Sequence, residues 1–248
     1  MTAPTGRIGV VFLHPECNMF CTFCITDDRM DTMTFAQAQR LLESLRERSI
    51  ANVVFGGGEP FAWPHDTIRL AAWARSQGYF VQAGTNGIAM PESRERIEQV
   101  DRYVLPLDAA DPAVHNTSRR FGPGHHQLVV NRLTALRDIG KSVTISTVVT
   151  ARNAGHLPSL AAFLSEYAQG GGALHAWHLY KFLPEGRGGR AHARELAIDD
   201  ATYDAACADA KERCNGFHVY KRKDMRHSRS VDFFWQFRGR VRTGSETW

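Results

Sequence analysis

Three cysteines lie within a stretch of eight residues near the start of the sequence, at Cys17, Cys21 and Cys24. The spacing C-x3-C-x2-C can place three thiolates around one inorganic centre. A structural zinc ion, or an iron–sulfur cluster held by protein alone, usually takes four protein ligands. Three cysteines leave one metal position open, and an open position distinguishes a catalytic metal centre from a structural one. The motif therefore predicts a reactive centre that binds a small molecule.

Alternating strand and helix patterns indicate the elements that must position this motif. Short runs of apolar and β-branched residues, bounded by Gly, Pro or Asp, predict six strands, at residues 8–14, 51–55, 79–83, 102–107, 143–149 and 175–182. Amphipathic patterns predict helices over residues 35–48, 66–77, 92–99, 125–139 and 156–168. Thr34 can cap the first helix. The alternation predicts an α/β fold with a parallel sheet and right-handed crossovers, and the short strands favour a partial barrel.

Chemically distinctive residues follow four of the predicted strands. In chain order they are the cysteine motif, Gly56-Gly57-Gly58-Glu59-Pro60, Thr85-Asn86-Gly87 and Asp108. In parallel α/β folds, functional residues gather on the loops at the carboxyl ends of the strands. These four loops are therefore expected to form one site.

This order of motifs resembles the radical S-adenosylmethionine (radical SAM) superfamily. The resemblance rests on the cysteine motif with Phe23 before its last cysteine, and on Gly-Gly-Glu-Pro after the second strand. It implies an enzyme with a partial (β/α)6 TIM barrel of the radical SAM type over residues 1–216. Residues 217–248 are expected to form a short C-terminal extension that packs on the barrel and is not an independent domain.

The resemblance also implies cofactors and chemistry. Cys17, Cys21 and Cys24 are expected to hold a [4Fe–4S] cluster whose open iron binds S-adenosylmethionine (SAM). An electron from the cluster would cleave SAM to a 5′-deoxyadenosyl radical, which abstracts hydrogen from a substrate. The expected electron donor is a flavodoxin or a ferredoxin-type protein, and the enzyme is expected to be oxygen-sensitive.

Eight residues are expected to contact SAM: Phe23, Gly57, Gly58, Glu59, Thr85, Asn86, Asp108 and Arg120. The guanidinium of Arg120 suits the SAM carboxylate, and a surface position is its alternative. Phe23 is expected near the adenine, or else in the core. Asn86 either binds SAM or holds a left-handed turn.

Within the superfamily, the chain resembles viperin and its prokaryotic relatives, and more distantly MoaA. The matching stretches are residues 107–120, 145–153, 177–186 and 225–228, with Trp248 at the C-terminus. This likeness implies a small anionic substrate, either a nucleotide or a sugar-bearing metabolite.

The chain departs from viperin at positions that face the nucleotide. Pro106, Thr144, Ser146 and His178 replace a serine, a lysine, an asparagine and a lysine. The lost cations weaken the case for a triphosphate. Replacement charge could come from other loops, through Lys181, Arg187, Arg190, Lys223 and Arg226.

His178 and Tyr180 are candidates for a catalytic role. Because side chains alternate along a strand, they share one face, whereas His175 points to the other. An inward His178 or Tyr180 could relay a proton or quench a substrate radical. Their alternative is an ordinary core or surface position.

Composition limits the function classes. With 248 residues, 43% of them hydrophobic, the chain can bury a large core, so disorder is not expected. No apolar run spans a membrane and no secretion signal is evident, so a cytoplasmic protein is expected. The net charge of +4 is concentrated in residues 217–248, as a solvated surface or an anion site. Nucleic acid is not an expected partner, since no aromatic–basic recognition pattern is present.

Three other functions stay open. A radical SAM enzyme that modifies peptides is one, although such enzymes often carry more cysteines than the remaining Cys207 and Cys214. These two are expected on one face of a helix as ordinary thiols. An activase for a glycyl-radical enzyme is the second. The third is a non-catalytic iron–sulfur or zinc module, with His14 as a fourth ligand.

Overall fold

The computed structural model describes residues 6–26, 29–122, 124–225, 228 and 230–244. Its strands are β1 (Ile8–Phe12), β2 (Phe20–Cys21), β3 (Asn52–Gly56), β4 (Phe80–Gly84), β5 (Arg102–Pro106), β6 (Arg119–Arg120), β7 (Ser142–Val149), β8 (Leu174–Lys181), β9 (His218–Arg222), β10 (Val231–Phe237) and β11 (Arg240–Thr243). Its α-helices are α1 (Phe35–Glu47), α2 (Thr67–Ser76), α3 (Arg94–Ile97), α4 (Pro112–Ser118), α5 (His125–Asp138), α6 (Leu157–Gln169), α7 (Gly186–Gly189), α8 (Ala193–Leu196) and α9 (Asp200–Glu212). Arg226, Arg229 and Trp248 lie outside the described residues.

The predicted α/β class is confirmed. Each of the six predicted strands and five predicted helices is present, with bounds within two residues of the prediction. The start of α1 shows why the local patterns are reliable. Thr34 Oγ1 accepts from the Gln37 N–H, and Gln37 Oε1 accepts from the Thr34 N–H at 2.7 Å. This capping box satisfies two backbone donors that the helix itself leaves unpaired.

The chain divides into two compact units. The first comprises Met1–Asn18, Thr26–Tyr103 and Met225–Trp248. Its strands run in the order β11-β10-β1-β3-β4, and all neighbours are parallel except β10 and β11. Parallel strands that are covered on both faces carry nearly continuous apolar runs, as β3 and β4 do here.

The C-terminal tail contributes more strands than the sequence indicated. The sequence after Phe217 predicts one or two short strands with a turn at Gly239, whereas the described residues there form three, β9, β10 and β11. β10 pairs in parallel with β1, and the predicted turn at Gly239 joins it to β11, with φ of +71° at that glycine. The domain division at residue 216 stays a prediction.

The second unit comprises Met19–Ile25 and Val104–Asp224. Its strands β7, β8 and β9 are parallel neighbours, and β2 pairs with β6 in a short antiparallel ladder. Trp177 and Leu179 are fully buried on one face of β8, where the Tyr203 hydroxyl of α9 donates to the Leu179 carbonyl at 2.6 Å. The opposite face carries His178 and Tyr180, both partly exposed. The predicted alternation of β8 is thus confirmed.

The expectation that Cys207 and Cys214 share a helix face was wrong. The last residue of α9 is Glu212, so Cys214 lies beyond its end, while Cys207 is buried within it. Burial raises the pKa of both thiols to about 11. Among the helices that the structure describes, none has the length and apolar composition needed to cross a bilayer.

Candidate functional site

The cysteine motif folds into a short strand and a tight turn. In the second unit, Cys21 lies in β2 opposite Arg119 of β6, and the Cys24 N–H donates to the Cys21 carbonyl at 3.1 Å. Cys17 belongs to the first unit, at the end of the loop that follows β1. None of the three cysteines is in a disulfide bond, and all three are half-buried. Partial exposure suits thiols that must reach an external metal centre.

Helix α7 packs directly on the cysteine turn. The N–H groups of Gly188 and Gly189 donate to the Cys24 carbonyl at 3.0 and 3.3 Å. A Cβ atom at Gly188 would overlap the Cys21 carbonyl oxygen and lie 2.7 Å from the Cys24 nitrogen. The glycine-rich sequence of residues 184–190 predicts a flexible basic loop, whereas the structure has a short helix there, whose glycines allow close backbone approach. The glycine spacing was the available signal, and it was read only as flexibility.

Arg119 is a buried cation beside this turn that the sequence analysis did not single out. Its Nε donates to Asp108 Oδ2 at 2.5 Å, and its Nη1 lies 3.9 Å from Cys21 Sγ. Its guanidinium carbon stands 4.9 Å from the ring centroid of Phe23. Burial opposes the positive charge, but Asp108 and the neighbouring cysteines outweigh that effect and raise the pKa of Arg119.

Asp108 is fully engaged within the protein. Besides Arg119, its carboxylate accepts from the Val148 N–H at 2.9 Å, and its carbonyl accepts from Asn153 Nδ2. The residue was expected to contact SAM. The structure instead places it as the anchor that holds Arg119 beside Cys21, and the SAM contact stays a prediction.

Two buried histidines, His115 and His125, pack beside Asp108. The Asp108 N–H donates to His115 Nδ1 at 3.1 Å, so the proton of a neutral His115 ring lies on Nε2. That Nε2 is 2.8 Å from His125 Nδ1, and the two rings are stacked with centroids 5.0 Å apart. Burial, reinforced by the nearby Arg119 charge, lowers the pKa of His115 to about 2 and keeps the ring neutral. No sequence pattern marked this pair.

In the first unit, the glycine-rich loop packs against the segment that leads to Cys17. Gly57 has φ of +124°, which favours glycine. The Gly58 and Glu59 N–H groups donate to the carbonyls of His14 and Glu16, each at 2.8 Å. A Cβ at Gly58 would lie 2.6 Å from the Pro15 carbonyl oxygen. The glycines thus allow close approach of the chain that precedes Cys17, and their contact with SAM stays a prediction.

Glu59 is a buried carboxyl with three donors. Its Oε1 accepts from the Thr85 hydroxyl at 2.7 Å and from the Phe61 N–H, and its Oε2 accepts from the Asn86 N–H at 2.7 Å. Burial raises its pKa to about 7, although these donors favour the anion. The side chain thus joins the second and third predicted loops.

Asn86 connects this cluster to the first cysteine. Its Nδ2 donates to Asn18 Oδ1 at 2.7 Å and lies 3.6 Å from Cys17 Sγ. Its Oδ1 accepts from the Ile88 N–H, while the left-handed residue of the turn is Gly87 with φ of +83°. Asn86 therefore stabilises the turn without adopting the left-handed conformation itself.

The other expected site residues lie as follows. Arg120 is exposed, and its guanidinium carbon lies 5.7 Å from the ring centroid of Phe20. This cation–π contact is the counterpart of the contact between Arg119 and Phe23.

The two candidate catalytic residues form a pair, since His178 Nδ1 is 3.1 Å from the Tyr180 hydroxyl. Whether they act in catalysis stays a prediction.

His14 has a structural partner. The buried His14 Nε2 donates to the Glu59 carbonyl at 2.7 Å. Over residues 6–26, 29–122, 124–225, 228 and 230–244, no group of three or more His, Cys, Asp or Glu side chains is arranged around a single metal ion. A cubane cluster differs from a single ion, because each thiolate binds a different iron.

Residues 11–164 match the family model of the Radical SAM superfamily. The chain belongs to this superfamily. Radical SAM proteins use a [4Fe–4S] cluster and SAM, so these are its cofactors. The residues present fit them, since the three cysteines of the motif form no disulfide and N–H groups of Asn86 and Arg119 point at two of the sulfurs.

Relatives of the chain within the superfamily include maturases and cyclases. It is 30% identical over 179 residues to mycofactocin maturase MftC from Mycobacterium ulcerans, covering 69% of this chain and 46% of the maturase. It is 28% identical over 158 residues to PqqA peptide cyclase from Streptomyces rochei, covering 61% and 42%. The chain thus spans less than half the length of these relatives.

A solved structure shows the same fold. Streptococcus suis SuiB bound to its precursor peptide SuiA superposes with a TM-score of 0.67 at 15% identity, over 87% of this chain and 49% of SuiB. This likeness confirms the α/β fold, and the family match over residues 11–164 confirms the radical SAM assignment. The expected special likeness to viperin gains no support from these relatives.

Proposed function

We propose that the chain is a radical SAM enzyme that abstracts hydrogen from a peptide. The observation that carries this proposal is its similarity to PqqA peptide cyclase over 61% of the chain. The peptide-bound SuiB structure supports a fold that accommodates such a substrate. This substrate class replaces the small anionic metabolite that the sequence favoured.

The pairing of the surface cations also favours a peptide over a nucleoside triphosphate as the substrate. Lys181 and Lys223, expected to compensate for the missing phosphate contacts, both pair with Asp200, at 2.5 and 2.9 Å. Lys223 also pairs with Asp204. The local positive charge that the sequence suggested for a triphosphate is thus partly offset by carboxylates of α9.

We assign the cluster to Cys17, Cys21 and Cys24. When bound, the cluster and SAM supply the reductive cleavage that yields the 5′-deoxyadenosyl radical. The chain's own residues orient and tune the site. Hydrogen bonds and positive charge at cysteine sulfurs favour the reduced state of a cluster, which is the role we give Asn86 and Arg119. To the buried Glu59, with Gly57 and Gly58, we assign the binding of the SAM ammonium.

Deuterium tracing tests the substrate class. Holoprotein reconstituted under nitrogen is supplied with dithionite, SAM and either a perdeuterated peptide pool or perdeuterated nucleoside triphosphates. We expect deuterium in 5′-deoxyadenosine from the peptide pool alone, because hydrogen moves directly from the substrate carbon. Mass spectrometry of 5′-deoxyadenosine measures it.

Transfer from the triphosphates and not from peptides would overturn the peptide assignment and restore the nucleotide alternative. Protein that lacks SAM cleavage altogether under these conditions would contradict the enzymatic assignment. The same reactions with undeuterated peptides and triphosphates give the baseline mass of 5′-deoxyadenosine.

A further inference from the structure

The face of the second unit that carries His178 and Tyr180 also carries an arginine. β8 and β9 are parallel neighbours, with His178 opposite Tyr220 and Tyr180 opposite Arg222. Residues opposite each other on neighbouring strands project to the same side of a sheet. The His178 ring meets the Tyr220 ring edge-on, with centroids 5.2 Å apart. These four side chains therefore form one continuous patch, which we call the β8–β9 patch.

Arg222 differs from its basic neighbours in what it contacts. Lys221 pairs with Asp204 at 2.7 Å, and Lys223 pairs with Asp200 and Asp204. Among the residues that the structure describes, no carboxylate pairs with Arg222. Its Nε is buried and has no hydrogen-bond partner. The Arg222 side chain as a whole is only partly buried, so its remaining guanidinium donors can serve an acceptor from outside the chain.

The guanidinium is held in a defined position. Its central carbon stands 5.1 Å from the centroid of the Tyr220 ring, and the Arg222 N–H donates to the Tyr203 hydroxyl at 3.0 Å. Tyr220 is 38% exposed, so the ring offers an open surface beside the cation. Stacking on an aromatic ring orders an arginine while its planar fork of donors stays usable.

The β8–β9 patch is in register with the residues that support the cysteine turn. Val148 of β7 lies opposite Tyr180, which lies opposite Arg222, and the Val148 N–H donates to Asp108. Neighbouring strands are about 4.8 Å apart, so two strand spacings separate Arg222 from Val148. Arg222 thus lies on the same row of the sheet as Val148, whose N–H holds Asp108, the anchor of Arg119.

We propose that Arg222 binds the carboxylate of an aspartate or glutamate side chain in the peptide substrate, with Tyr220 as the stacking surface for the neighbouring residue. The guanidinium fork matches a carboxylate with two parallel hydrogen bonds. This inference rests on the proposed peptide function and defines its substrate as an acidic peptide.

Peptide selection tests the proposal. Immobilised holoprotein with SAM is incubated under nitrogen with a pool of random heptapeptides, capped at both ends so that only side chains carry carboxylates. Retained peptides are sequenced by mass spectrometry. We expect wild-type protein to enrich Asp and Glu over Asn and Gln about tenfold, the ratio that one charge-assisted hydrogen bond supplies.

Three variants test whether the enrichment of acidic peptides depends on Arg222. R222Q should bring the enrichment to about one, because the charge and the fork are both lost. R222K keeps the charge without the fork and should retain a reduced preference, which also guards against misfolding of R222Q. R240Q makes the same change at an exposed position on β11 of the first unit and should behave as wild type.

The outcomes separate the two proposals. Wild-type protein without acidic enrichment, or R222Q that keeps it, would overturn the role of Arg222. Acidic peptides that are retained through Arg222 but never increase 5′-deoxyadenosine formation would support the binding site and contradict the proposed peptide function.

Discussion

Replacing Asp108 by alanine is expected to lower the free energy of unfolding by about 3–5 kcal/mol, because Arg119 would stay buried without its counter-charge. The side chains of Arg119 and Asp108 are only 9% and 3% exposed. Removal of the carboxylate also leaves the Val148 N–H without its acceptor. Urea titration of the protein before cluster loading measures the change. It is one of the two largest effects that we expect of a single substitution.

Asp138→Ala is the matched control. Asp138 pairs with Arg137 at 3.3 Å, but these side chains are 61% and 37% exposed. An exposed ion pair contributes about 0–1 kcal/mol, so this variant should unfold almost as wild type does. Equal losses in the two variants would show that the Asp108–Arg119 pair has no special role. The double variant D108L/R119M should recover much of the stability, because no charge is then buried alone.

Gly188→Ala is expected to impair cluster loading strongly while leaving the three thiols intact. The new methyl group would overlap the Cys21 carbonyl and crowd the Cys24 nitrogen at 2.7 Å. These neighbours are backbone atoms, which cannot rotate away, so α7 or the turn must shift. Overpacking of this kind costs about 1–3 kcal/mol. Iron and sulfide content per chain after anaerobic reconstitution measures the loss of loading.

Gly155→Ala provides the comparison. Gly155 is exposed, and a Cβ there meets no atom within 4 Å. This variant should load iron as the wild type does. If Gly188→Ala loaded equally well, the contact between α7 and the cysteine turn would not matter for the site.

The helices and strands were predicted well because the interactions that determine them are between residues close in sequence. Runs such as residues 143–149 are β-branched and end at polar or glycine residues, and Thr34 with Gln37 completes a capping box from sequence neighbours alone. The two-residue strands β2 and β6 were missed because two residues carry no periodicity. The parallel pairing of β10 with β1 was missed for a different reason, since the sequence does not state which distant strands are neighbours.

Site residues that belong to a sequence motif could be predicted, whereas those whose role depends on burial in the fold could not. The cysteine spacing and the glycine-rich loop are visible in sequence. Arg119 and Arg120 are adjacent and chemically identical, and only the ladder between β2 and β6 puts one beside Cys21 and the other in solvent. The substrate class could not be read from the cations, because their pairing with α9 depends on the fold.

We propose that the thiolates of Cys17, Cys21 and Cys24 hold a cluster with one iron free for SAM. Electron paramagnetic resonance of the dithionite-reduced holoprotein, recorded with and without SAM, tests it most directly. We expect the signal of a reduced [4Fe–4S] cluster whose g values shift when SAM is added. We also expect this signal to be lost when Cys17, Cys21 or Cys24 is replaced by alanine. A cluster signal that ignores SAM, or that survives any of these replacements, would contradict it.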